Sequence, residues 1–148
     1  MLPRYHFVFR KWPFLHDFNT YGGKQMLVWK EEPLFAELLM LRLLESQGYT
    51  GVWVDTFRKK YWQRLPDLST PILPDAAITG TLEKIYEIKG GGKTGCFDVV
   101  AYRENHFVFV ELKRQKADVI QPSQIEWLEA AGKAGLNAPF FLIAEWKL

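Results

Sequence analysis

The chain has 148 residues and a formal net charge of +2, with six Trp and eleven Phe in a hydrophobic complement of 48%. That length is most simply one domain with room for a sizeable core, and the apolar content argues against intrinsic disorder. So small a charge excludes a heavily basic coat for nucleic acid but not a local basic groove, and the single cysteine, Cys96, excludes an internal disulfide and a four-thiolate zinc site.

The three histidines, His6, His16 and His106, have no zinc-motif spacing, and no stretch approaches the ~18 apolar residues that span a bilayer. The opening "MLPRYHFVFRKWPF" has no uninterrupted apolar core and no small-residue cleavage site. A soluble, cytoplasmic protein without a membrane partner is the expectation.

In chain order, residues 1–30 are aromatic-rich and broken by Pro13 and "YGGK", which predicts short extended pieces around a turn. From Pro33, "PLFAELLMLRLLESQG" predicts a helix: proline suits the first helical position, Glu31 and Glu32 precede it at its positive end, and Gly48 stops it. "YTGVWVDTF" predicts a strand. The basic, aromatic and proline-containing stretch at about 57–90 predicts an irregular insertion with a short helix near its end. "GCFDVVAY" and "HFVFVELK" predict two strands joined by the polar turn "RENH". "PSQIEWLEAAGKAG" predicts a second helix with Pro122 near its start and Ser123 or Asp118 as cap; "APFFLIAEW" predicts a last strand. The order is that of a mixed sheet with helices packed on it, an α/β class.

Three Glu-x-Lys triplets occur: Glu87–Lys89, Glu111–Lys113 and Glu145–Lys147. A lone triplet is most often a strand emerging into solvent, so the choice rests on neighbours. An antiparallel hairpin with Glu104 and Asn105 at its tip sets Asp98 opposite Glu111, Cβ atoms about 4.5–5.5 Å apart, with Lys113 on the same face. Two facing carboxylates at the end of an apolar strand pair repel, and a divalent cation removes that repulsion; oxygen ligands in this pattern suit Mg²⁺ or Mn²⁺. Lys113 would hold or deprotonate the attacking water. Glu87 runs into a flexible glycine loop, and Glu145 has no aspartate strand close upstream.

"GCFDVV", then "ELK" with twelve residues between Asp98 and Glu111, then "QPSQIEWLEAAGKAG" resembles the PD-(D/E)XK nuclease superfamily, and within it the virus-type replication-repair nuclease (VRR-NUC) family, over about residues 95–135 and by helix order back to about 33. Phe97 stands where that family usually has proline. The resemblance implies a restriction-endonuclease-like mixed sheet flanked by helices, with residues 1–148 as one nuclease domain. It implies that Asp98 and Glu111 ligate the metal, that the Leu112 carbonyl is a third ligand, and that Lys113 is the catalytic lysine. Gln124 corresponds to the family glutamine that orients the lysine or the scissile phosphate; the alternative is a polar helix start facing water. Glu37 would complete the metal site from the first helix, although an acid one turn into a helix also suits the dipole with no metal, and Glu45 shares part of that face.

"GGGKTG" departs from the Walker pattern, because the position five before Gly-Lys-Thr is Glu87 and a strand follows, so no nucleotide cofactor is expected. Lys93 in that loop could touch a phosphate. Arg58, Lys59, Lys60 and Arg64 are interleaved with Tyr61 and Trp62, a pattern for phosphate contact and base stacking, or for a solvated strand face. Arg114 and Lys116 adjoin the proposed metal. Trp127 and Cys96 are expected in the core.

The expectation is a metal-dependent DNA endonuclease, structure-specific for branched or flapped DNA by the resemblance, as in DNA repair. A homodimer would let so small a nuclease address two strands. The rival is a nucleic-acid-binding subunit of a phage or repair assembly that no longer cuts; RNA as substrate rests only on the basic-aromatic insertion.

Overall fold

A computed structural model describes residues 2–91, 95–115, 121–135 and 141–148. The strands are β1 (Arg4–Val8), β2 (Arg10–Lys11), β3 (Leu27–Trp29), β4 (Glu32–Leu34), β5 (Thr50–Asp55), β6 (Lys60–Trp62), β7 (Val99–Arg103), β8 (His106–Arg114) and β9 (Phe141–Lys147). The helices are α1 (Ala36–Ser46), α2 (Ala76–Lys89) and α3 (Pro122–Lys133). Six strands form one mixed sheet in the order β1-β9-β8-β7-β5-β6, and β2, β3 and β4 form a second, small one. Among the described residues, no helix is long and apolar enough to cross a membrane.

Alternation along the strands divides the core in two. Trp53, Val99, Ala101, Val110, Leu112, Ala144 and Trp146 face α1 and its leucines. The intervening residues Val52, Val54, Val100, Phe109 and Phe141 face the side chains of α2 and α3, among them Ile85 and Trp127. A period of two on each strand and of about 3.6 on each helix is what lets one sheet carry both layers. Trp127 is fully buried against Phe97, Phe109 and Phe141, with ring centroids 5.1–5.7 Å away.

The β7–β8 hairpin has the register read from sequence: Arg103 pairs with His106 and Val99 with Val110, with Glu104 and Asn105 at the tip and Glu104 at φ 55°. Outside residues 57–90, the order of helices and strands after residue 35 also follows the sequence reading.

Three expectations are corrected. Pro33 does not open the first helix. It lies in β4 opposite Val28, and α1 begins at Ala36 after an extended Phe35. Pairing of the short strand and the bond of Glu32 to Arg42 (Nε–Oε1 2.8 Å, Nη2–Oε2 2.9 Å) outweigh the preference of proline for a helix start. Residues 57–90 are not an irregular insertion with a short helix. They form the edge strand β6 and the 14-residue α2, whose Asp75 cap accepts from the Ile78 amide at 3.3 Å and whose stop, Gly90, has φ 97°. The cap of α3 is Gln121, not Ser123; Asp118 lies outside the described residues.

Candidate active site

β7 and β8 part company just beyond Val99 and Val110, and the polar residues gather there. Asp98 still belongs to the sheet through its carbonyl, which accepts from the Val54 amide at 2.8 Å. Its Oδ2 accepts from the Leu112 amide at 2.9 Å, so a carboxylate stands just where main-chain pairing of the hairpin stops. On β8, Glu111 and Lys113 project to one face two residues apart, Lys113 Nζ lying 3.3 Å from Glu111 Oε2. Both are almost wholly buried.

Gln124 is brought in by α3. Its Oε1 accepts from the Gln121 amide at 2.9 Å and its Nε2 donates to Glu111 Oε2. Both ends of the amide are therefore committed, which fixes its orientation, and the alternative of a polar helix start facing water does not hold, since Gln124 is 8% exposed. Gly95 lets the chain approach this helix. It has φ 85°, and a Cβ there would lie 2.0 Å from the Ser123 carbonyl oxygen. Phe97, in the position where the resembled family has proline, stacks on Trp127 and ties the same segment to α3.

Glu111 and Glu37 destabilise the charge of Asp98. The Asp98 carboxyl is held well above the usual carboxylate range, first by burial, then by the charges of Glu111 and Glu37, with the Leu112 amide and Lys24 opposing. Asp98 keeps part of its surface open to solvent yet is enclosed by protein atoms on most sides. Burial also raises the Glu111 carboxyl, against the lowering effects of Lys113, of hydrogen bonding to Gln124 and of hydrogen-bonding contact with Asp98. Glu111 Oε1 is buried without a donor among the described residues. Two adjacent acids and an orphaned carboxylate oxygen fit a hard divalent cation, which typically takes one or two carboxylates and keeps several waters.

Glu37 is buried on α1, but its Oε2 is bound by Lys24 Nζ at 2.5 Å. Among the described residues, no three His, Cys, Asp or Glu side chains group closely enough to hold a metal ion. Glu45, the other acid considered on this helix, is exposed and pairs with Arg42 at 2.9 Å.

Lys24 is the residue the sequence did not disclose. Its ammonium lies 5.5 Å from the Trp53 ring and 5.9 Å from Phe35. Burial lowers its proton affinity, but Glu37, and more weakly Asp98 and Asp55, outweigh that effect and raise it. It lines a cleft of about 350 Å³ with Tyr21, Glu37, Phe57, Arg58 and Asp98. A larger cleft, about 470 Å³, lies apart from these acids.

Several expected phosphate contacts are placed differently. Arg58 is pinned: its Nη1 meets Asp55 Oδ2 at 3.1 Å and its guanidinium lies 3.6 Å from the Tyr21 ring centroid. Lys59 and Lys60 are exposed and line a separate small pocket with Tyr61 and Tyr86, whereas Arg64 lines the larger cleft. Arg114 alternates to the face opposite Lys113, where it lies over Trp146 at 5.0 Å. Trp62 is buried with its indole N–H 3.3 Å from Asp55, and Tyr61 is half-buried, so neither presents an open face for stacking on a base. Lys93 and Lys116 lie outside the described residues. Cys96 is buried, and burial pushes its thiol up to about 12. Of the rejected triplets, Glu145 pairs with Arg4 at 3.1 Å, and Glu87 lies on the exposed side of α2.

Comparison with family models, with curated proteins and with solved structures finds no match to this chain.

Proposed function

We propose that the chain is a metal-dependent DNA endonuclease of the PD-(D/E)XK type, a VRR-NUC relative with a restriction-endonuclease-like fold. The observation that carries this reading is the convergence of Asp98, Glu111 and Lys113 in one small volume, with Gln124 bonded to Glu111. A structural ion pair needs one acid for one base; a second buried acid beside it raises the energy of the folded chain and calls for a cation.

Asp98 and Glu111 would hold Mg²⁺ or Mn²⁺, with the Leu112 carbonyl as a further ligand; the bound ion supplies Lewis acidity toward the scissile phosphate and a lowered pKa for water. Lys113 orients that water and faces the charge that grows on the phosphoryl oxygens as the new P–O bond forms and the 3′ oxygen leaves. Gln124 keeps Glu111 turned toward Asp98. With Glu37 held by Lys24, the reading favours a site centred on the Asp98–Glu111 pair.

The deciding experiment is a panel of single-stranded, duplex, flap and four-way-junction DNAs with and without Mg²⁺ or Mn²⁺. Cleavage of at least one, lost in Asp98→Ala, Glu111→Ala and Lys113→Ala and kept in Glu87→Ala, is the expected result. The engagement of Glu37 by Lys24 favours a second reading, a DNA-binding module that does not cut. It would show salt-steep binding and no turnover with any metal.

A further inference from the structure

The cleft that contains Asp98 has one rim unlike the rest. It is the four-residue turn 56–59 of the β5–β6 hairpin, which closes where Asp55 pairs with Lys60. Phe57 is 90% exposed, and it is the only large, strongly exposed apolar side chain among the described residues that lines this cleft. Its ring is left in water at the edge of a polar site, with Arg58 beside it.

The turn that carries it is held firmly. Buried Asp55 accepts from the Arg58 amide at 3.2 Å, from the Arg58 guanidinium at 3.1 Å and from the Trp62 indole at 3.3 Å. The Arg58 guanidinium then lies 3.6 Å from the ring centroid of Tyr21, which also lines the cleft, and 5.6 Å from that of Phe57. Phe57 therefore stands on a braced tip beside Arg58, with the exposed Lys59 and Lys60 next to it in the chain. A flat apolar ring beside cations is the recognition chemistry of single-stranded nucleic acid: cations meet the phosphates and the ring stacks on a base that has left its pair.

We infer that Phe57 is a stacking platform for an unpaired nucleobase, so that the strand entering the Asp98 cleft is single-stranded at that point. This deepens the nuclease reading and rests on it, since it supplies a reason for preferring flapped or frayed DNA to intact duplex. It also takes the role from Trp62, which is buried, and from Tyr61, which is half-buried.

The test compares two labelled oligonucleotides of equal phosphate count, one with all its bases and one with abasic sites in their place. Binding is measured without added divalent ion so that nothing is cut. The wild type should bind the base-bearing strand about tenfold more tightly than the abasic one, within the range of one base–aromatic stack. Phe57→Ala should erase that difference while leaving abasic binding and the melting temperature unchanged, and Phe57→Tyr should keep it. Equal weakening on both strands, or none on either, overturns the inference and leaves the nuclease reading standing. Failure of the wild type to bind either strand overturns the inference, whereas the nuclease reading is overturned by absence of cleavage with Mg²⁺ or Mn²⁺ across the panel.

Discussion

At the scale of single residues, the chemistry turns on where charge is permitted. Asp98 carries charge at a cost, because burial, Glu111 and Glu37 all favour its neutral form. Its carboxyl holds a proton more tightly in the folded chain than in the unfolded one. The stability this confers is complete below the ordinary value of 3.8 and is lost as pH rises through the higher folded value. Asp98→Asn keeps an oxygen for the Leu112 amide and removes the charge. Without divalent ions it should raise stability at pH 7–8 by about 1–3 kcal/mol, the scale of an uncompensated buried polar group. The gain should vanish toward pH 4, as urea melts across that range would show. Unchanged stability at pH 8 would mean that Asp98 is not under electrostatic pressure.

Lys24 has the opposite role. It neutralises Glu37 beside Asp98, so Lys24→Met should leave Glu37 buried and unpaired and lower stability by about 3–5 kcal/mol. Lys24→Met with Glu37→Gln should recover most of that loss in the same melts, and a simple sum of the two single effects would mean that the residues do not form a functional pair.

At the scale of elements, the decisive contact is between the segment entering β7 and the start of α3. Gly95 permits it by adopting φ 85° with the Ser123 carbonyl where a Cβ would be. Gly95→Ala should force the two segments apart, lower the melting temperature by several degrees and, by loosening the Gln124–Glu111 bond, reduce cleavage more than it reduces DNA binding. Thermal melts and the same cleavage panel measure both. The register of β7 on β8 rests on Glu104 and Asn105 at the tip; alternation rules out a slip by one residue but not by two, and no Asn-Gly signal marks the turn. α2 was legible in part: Asp75 and Gly90 are sound boundary signals, but Thr79, Gly80 and Thr81 between them dilute the helical pattern. Lys24 was not legible at all. It follows a glycine turn far from Asp98 in sequence, and only the packing of β3 and α1 brings it to the acids. The pinning of Arg58 was hidden for a related reason, since Tyr21 reaches it from that same turn.

At the scale of the whole molecule, the sheet stores repulsion at one point and surrounds that point with cores that do not yield. Packed aromatic layers around Phe97, Phe109 and Trp127 keep the acids from drifting apart to relieve their charge, so relief has to come from a proton or a cation. A divalent ion that binds only the folded chain stabilises it by mass action, about 2.7 kcal/mol at a hundred times its dissociation constant. For a chain of this size, that is a rise of about 5–10 °C in melting temperature. Mg²⁺ or Mn²⁺ should therefore raise the melting temperature of the wild type, more at pH 8 than at pH 5, where protons compete for the same oxygens. Asp98→Asn and Glu111→Gln should abolish the rise, whereas Glu87→Ala should keep it. A rise that survives both substitutions would place the cation elsewhere, and none at any pH would favour the module that binds DNA without cutting it.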